Sequence, residues 1–176
     1  ATWNPDLIAS WEGGSNLTLV RSGAVSATIV ERRSQRLTTR PERRSMAMTQ
    51  LANGLCVANL HASKERAASE RELPAAARAA SAWAAGRPLI VGGDFNLRPA
   101  LSGFVFAQLE SAYGLAPPTA PRAIDHILSS GLEVIEEPRQ WPPERREVPD
   151  PTRSGEPSLP IRLSDHAPVE AVLRLP

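Results

Sequence analysis

Residues 88–100, PLIVGGDFNLRPA, place an acid and an amide behind two glycines at the end of an apolar run. The run 88–93 reads as a strand. Side chains of a strand alternate between its faces, so Asp94 and Asn96 are expected to point one way and Phe95 the other. One face is then polar and the other packed. Residues 94–100 read as a loop and the apolar periodicity of 101–112 as a helix.

Upstream, residues 62–86 (ASKERAASERELPAAARAASAWAAG) are alanine-rich and end in glycine. That is the pattern of a helix with a glycine stop, and Pro74 is the one place where it could break. Before it, residues 45–63 (SMAMTQLANGLCVANLHAS) hold two apolar runs joined by Asn53-Gly54. This dipeptide is a strong hairpin signal, and the second run leads into His61. Residues 15–30 (SNLTLVRSGAVSATIV) suggest another hairpin around RSG. Downstream, residues 122–137 read as two short strands around Ser129-Ser130-Gly131, residues 138–160 as a proline-rich loop, and residues 165–175 as a closing strand. Strands outnumber helices but helices intervene. The fold class expected is α/β (α+β), with residues 1–176 as a single domain.

With 41% hydrophobic and 22% charged residues in 176, the chain can bury a core and is too apolar to be disordered. Its formal charge of +1 argues against a strong field for polyanions. The basic side chains are nearly all arginine, and Arg32, Arg33, Arg36, Arg40, Arg43 and Arg44 crowd into one segment. Guanidinium groups match phosphate oxygens, but such a run is more often a solvated hairpin. Cys56 is the only cysteine, so no intrachain disulfide forms, and its apolar context suits a buried thiol. No apolar run is long enough for a membrane span and no signal-peptide shape is visible, which suits a cytoplasmic protein with no obligate protein partner evident.

The three histidines each lie beside polar groups at what read as strand ends. They are His61 with Asn59, His126 after Asp125, and His166 after Asp165. Singly, each is more often structural than catalytic. Strand ends on one sheet edge would gather Asp94, Asn96, Asp125, Asp165, His61 and His166. Three carboxylates in one place repel unless a cation or protonated histidines compensate, and oxygen donors favour Mg²⁺ or Mn²⁺ over zinc. Such a site suits hydrolysis of a phosphate ester.

The order NLHAS, GGDFNLRP, AIDHIL, LSDHAPV across residues 57–169 resembles the endonuclease/exonuclease/phosphatase superfamily, the deoxyribonuclease I-like proteins. The resemblance implies two mixed β-sheets packed face to face with helices on the outer faces, a four-layer sandwich. It implies a divalent-metal-dependent phosphoesterase, with phosphodiester hydrolysis of a nuclease-like kind preferred over phosphomonoester hydrolysis and nucleic acid among the candidate substrates. By resemblance Asp94 orients or deprotonates the attacking water. His61, Asn96 and His166 bind phosphate oxygens, Asp165 is the acid on the metal side, Asp125 holds the ring of His166, and Asn59 supports the site. His126, opposite to Asp125 on a strand, is expected to be packed and hydrogen-bonded.

The family's opening strand and its metal-binding glutamate are not visible ahead of these motifs. Glu12 follows no strand-like run and precedes two glycines. The chain is therefore expected to be N-terminally incomplete, the C-terminal two-thirds of such a domain, with its own activity in question. The alternative function is a catalytically inactive relative or fragment that binds a partner or nucleic acid. Ser164, Asp165 and His166 as a serine hydrolase set is a poor reading, since adjacent strand residues cannot face one substrate and no G-x-S-x-G elbow exists.

Overall fold

The computed structural model describes residues 16–21, 23, 28–39, 43–149 and 160–176. Glu12 and Arg40 lie outside them. The described chain centres on a five-stranded sheet in the order β1-β2-β3-β4-β5, formed by β1 (Ile29–Thr38), β2 (Arg44–Leu51), β3 (Cys56–His61), β4 (Leu89–Asp94) and β5 (Asp125–Ser130). Neighbours are antiparallel except β3 and β4, which run parallel. A parallel pair needs a long crossover, and α1 (Arg66–Ala84) supplies it. A second helix, α2 (Pro99–Tyr113), connects β4 to β5. β6 (Glu133–Gln140) and β9 (Val169–Arg174) form a separate antiparallel pair, as do the short β7 (Glu147–Val148) and β8 (Ile161–Arg162). The fold class is the mixed α/β one expected.

Alternation decides the two faces of the large sheet. Met46, Met48, Ala58, Leu60, Val91 and Leu128 are buried, and form one core with Leu73, Ala76, Ala77 and Ala80 of α1 and Val105, Phe106 and Leu109 of α2. The α1 residues recur at helical spacing, so a single stripe of small side chains lies close on the sheet. Pro74 does not break α1. A proline there forfeits one main-chain hydrogen bond, but the flanking buried residues hold the helix in place. Glu65 caps its start, accepting from the Ala67 and Ala68 N–H groups at 2.9 and 2.6 Å.

The opposite face carries Val57, Asn59 and His61 on β3, Ile90 and Asp94 on β4, and Asp125 and Ile127 on β5. Val169, Ala171 and Leu173 of β9 stand across from it, around a cavity of about 560 Å³ that Leu17 and Leu19 also line. Residues 15, 22 and 24–27, with the turn of the hairpin expected at 15–30, lie outside the described residues, and residues 16–21 form no strand. Their irregular backbone lies over β2 and β3 instead, with Asn16 Nδ2 donating to the Ser45 carbonyl at 2.7 Å and Asn59 Nδ2 to the Leu17 carbonyl at 3.0 Å. Of the second run, Ile29 and Val30 begin β1.

The Asn53-Gly54 turn joins β2 to β3 as expected, with Gly54 at φ 87°. The arginine-rich segment forms the β1–β2 pair, where Arg32, Arg33 and Arg36 are exposed on the edge strand and Arg44 is buried. Charged residues on an edge discourage pairing with another chain. Residues 138–160 are not all loop. β6 runs through Pro138 to Gln140, a 3₁₀ turn spans Pro143–Arg145, and β7 pairs with β8. Tolerance of Pro138 fits its place in an irregular stretch, where pairing with β9 shifts register between Glu136 and Arg139. No helix among the described residues is long and apolar enough to cross a membrane.

Candidate active site

Register brings three chemical side chains into one row. His61 pairs with Asp94 across β3 and β4, and Asp94 with Asp125 across β4 and β5. The expectation that each group sits where a strand ends needs one correction. Asp125 begins its strand, and the antiparallel β5 returns that beginning to the edge where β3 and β4 end.

The paired glycines explain why the acid follows them. Gly93 has φ 129°, and a Cβ there would run into the Leu60 carbonyl oxygen and crowd Asn59 Oδ1. Gly92 lies close under the His126 carbonyl of β5. A side chain at either place would push β4 from its neighbours just before Asp94.

Asp94 is set in a network. His61 Nε2 lies 3.2 Å from Asp94 Oδ2, and the Asn96 N–H donates to Asp94 Oδ1 at 2.9 Å. Burial alone would raise the Asp94 pKa. The hydrogen bonds from His61 and Asn96 and the charges of His61 and His166 outweigh it, so the pKa is lowered and the carboxylate stays ionised.

The expectation that Asn96 shares a strand face with Asp94 fails, because β4 ends at Asp94. Asn96 turns into the left-handed region at φ 51°, which asparagine tolerates. Its Nδ2 donates to the Ala62 carbonyl at 3.1 Å. Its amide therefore ties the loop after β4 to the loop after β3. Phe95 does point away into the core, and its carbonyl accepts from Ser69 Oγ at 2.6 Å.

Across the row, His166 Nδ1 donates to Asp125 at 2.9 Å to Oδ2 and 3.1 Å to Oδ1. Burial opposes charge on this ring, yet the hydrogen bond and charge of Asp125, with Asp94 and Asp165 adding, raise the His166 pKa. For Asp125, burial outweighs the opposing contribution of His166 and the pKa is raised. The Ser164 hydroxyl accepts from the His166 backbone N–H at 3.1 Å, so it shapes the turn that carries the ring.

Asp94, Asp125 and His166 each offer a ligand atom, all within 4.8 Å of one another, the arrangement among the described residues that could hold a metal ion. Asp165 is exposed and stands outside this cluster, lining the adjoining cleft. Asn59 shares the face of His61, with its amide engaged to Leu17.

His126 is packed and hydrogen-bonded as expected. It is 1% exposed, with Nδ1 accepting from the Thr119 N–H at 3.1 Å and Nε2 lying 3.0 Å from the Leu97 carbonyl. That pattern fixes the neutral ring with its proton on Nε2, and burial first of all lowers its pKa.

Two supporting residues escaped the sequence reading. Buried Glu72 accepts from the Ser63 N–H at 2.8 Å and from its hydroxyl at 2.6 Å, holding the turn just past His61. Ser69 holds the Phe95 carbonyl just past Asp94. The signal was polar residues at positions 69 and 72 on the stripe that also carries Leu73 and Ala76, where an unpartnered serine or glutamate would be costly.

The sequence matches the model of the Endonuclease/Exonuclease/phosphatase family over residues 9–166. The chain belongs to the endonuclease/exonuclease/phosphatase family. Its members are metal-dependent phosphoesterases. Among solved structures, the chain is similar to the family protein from Bacteroides thetaiotaomicron at 18% identity and a TM-score of 0.63, with 83% of this chain and 63% of that one covered. The protein from Bacteroides vulgatus gives 18%, 0.57, 85% and 66%. The one from Beutenbergia cavernae gives 17%, 0.54, 84% and 45%. At these identities the likeness is one of fold, and the chain spans less than two thirds of the first relative's length. No curated protein matches the chain.

Proposed function

We propose that this family member hydrolyses phosphodiesters with Mg²⁺ or Mn²⁺, water adding to phosphorus as the bond to the leaving oxygen breaks. One observation carries the reading: two carboxylates, each paired with a histidine, meet at one sheet edge, where Asp94 and Asp125 offer oxygens to a cation and His166 stands beside them. The donor set fits a hard divalent cation, since Asp94 and Asp125 supply oxygens and exposed Asp165 stands close by. When bound there, the cation supplies neutralisation of phosphoryl charge.

The side chains do the rest. Asp94, kept ionised by His61 and Asn96, orients the water and takes its proton. His166, its ring fixed through Nδ1 by Asp125, has Nε2 left to donate to a phosphoryl or leaving oxygen, and the raised pKa keeps that proton available. His61 steadies Asp94 through Nε2. Asn96 acts by fixing the loop and, once substrate enters, by polar contact with phosphate.

The test is turnover of bis(p-nitrophenyl) phosphate, followed with added Mg²⁺ or Mn²⁺ and again in excess EDTA. Hydrolysis that needs the cation and is lost on chelation supports the reading. Undiminished turnover in EDTA defeats it. Glu12 lies within the span matched to the family, and Glu12→Gln in the same assay tests whether it contributes an anionic group.

A further inference from the structure

A second cleft, of about 270 Å³, adjoins the Asp125–His166 pair and is lined by Arg122, Gln140, Arg146 and Asp165 as well as that pair. It shares Asp125, His166 and Ala167 with the cleft that contains Asp94, so a molecule bound at the row can extend into it.

The arginines here differ from those around them. Arg139 and Arg145 both reach Glu170, at 2.9 and 3.3 Å, and Arg145 also covers the Trp141 ring. Arg162 pairs with Glu147 and Arg174 with Glu133. Arg122 and Arg146 have no carboxylate partner among the described residues. Arg146 is held by its backbone, its N–H donating to the Pro143 carbonyl and its carbonyl accepting from the Leu163 N–H. Its Nε is buried without a hydrogen-bond partner.

Guanidinium groups that line a cleft without a carboxylate partner suit an anionic ligand, since their charge-assisted, forked hydrogen bonds match phosphate oxygens. Asp125 is matched by His166. Among the described lining residues, two guanidinium groups stand against the one carboxylate, Asp165, that has no histidine partner, an excess of positive charge.

We infer that this cleft is a subsite for a second phosphate group of the substrate, bound by Arg122 and Arg146 while the scissile phosphate lies at Asp94 and His166. The inference rests on the phosphodiesterase reading and narrows it to substrates with two phosphates. Gln140 adds a neutral donor at the rim. The second phosphate can be the next one along a nucleic acid strand or a terminal phosphomonoester on a small molecule, since both offer the same oxygens.

The experiment compares p-nitrophenyl thymidine 5′-phosphate with its 3′-phosphorylated counterpart in wild type, the Arg122→Gln/Arg146→Gln double variant and the Arg122→Lys/Arg146→Lys variant. The wild type is expected to show a lower KM for the two-phosphate substrate, and the glutamine pair to raise that KM roughly ten- to hundredfold with the one-phosphate KM unchanged. Lysine, which keeps charge without the fork, should recover part of the loss. Equal losses on both substrates, or none, would overturn the subsite.

Thymidine trinucleotide as competitor separates the two sources. If it competes as well as the terminal phosphomonoester, the subsite takes a strand phosphate; if only the phosphomonoester competes, it takes a small molecule. Equilibrium binding of thymidine 3′,5′-bisphosphate against thymidine 5′-phosphate in EDTA reads the subsite without turnover. If neither ester is hydrolysed but the bisphosphate binds at least tenfold tighter and loses this advantage in the glutamine pair, the function proposed above fails while the subsite stands. Equal binding of the two ligands overturns the subsite even if hydrolysis succeeds.

Discussion

The two faces of the five-stranded sheet are made by alternate residues of the same strands, yet they meet opposite fates. Leu60 and His61 are neighbours, as are Asp125 and His126, and in each pair one residue enters a closed core while the other stands at an open row of charges. The helix face is filled by α1 and α2 with small and aliphatic side chains at close-packed spacing. The opposite face keeps a cavity, and its polar edge is held by hydrogen bonds from loops rather than by packing. A core stabilises by area removed from water and tolerates little change of volume, whereas a site depends on which proton lies on which atom.

If the division is real, substitutions on one face should change rate and those on the other stability. The largest effect is expected from Asp94→Asn, which keeps the shape of the side chain but removes the proton acceptor. Turnover should fall by about 10²–10⁴-fold with the thermal midpoint little changed. A loss of under tenfold would give the proton to another group.

On the closed face, Leu60→Ala should cost about 2–5 kcal/mol in urea unfolding, because it opens a void under α1. The activity of the fraction still folded should be nearly unaltered. A large drop in specific activity at low denaturant would show that the faces are coupled.

The Asp125–His166 pair allows a finer test within the open face. Asp125→Ala and His166→Ala should each slow turnover, and the double variant should be little worse than His166→Ala alone, since the acid acts through the ring. Losses that multiply would make Asp125 an independent participant.

The smallest effect concerns His126, which follows Asp125 on β5. The folded-state pKa of His126 lies below the ordinary 6.5, because burial disfavours the charged ring. Between these two values the unfolded chain binds a proton that the native ring refuses, so His126 makes stability fall as pH drops below about 6.5, levelling off below the folded-state value. His126→Gln, with its amide in place of the ring, should flatten that part of the stability profile measured by urea titration. An unchanged slope would assign the acid sensitivity elsewhere.

Particular residues show how far linear reading reaches. Alternation placed Phe95 in the core and His126 opposite Asp125, and the Asn53-Gly54 turn was readable because its backbone demands are local. Asn96 was misplaced. Alternation continues only while the strand does, and β4 stops two residues earlier. Glu72 and Ser69 escaped notice because a polar residue on an apolar stripe declares its partner only when the loops after β3 and β4 come down on it. The arginines drew attention where they crowd, on the edge strand β1. The two near the site that have no carboxylate partner among the described residues, Arg122 and Arg146, lie in loops.

By itself the sequence determined the family, the mixed α/β architecture, the helix and strand periods, and the residue types able to do phosphoester chemistry. Periodicity, turn propensity and the chemistry of side chains act over a few residues and are written in order along the chain. Only the tertiary structure decided that antiparallel β5 returns Asp125 to the row of His61 and Asp94, and that His166 comes from 41 residues further along the chain to be held there. It also decided which histidine is a buried neutral strut and which is held by a carboxylate at the open row. Those outcomes depend on strand order, direction and burial, and these exist only when distant segments share one sheet and one low-dielectric core.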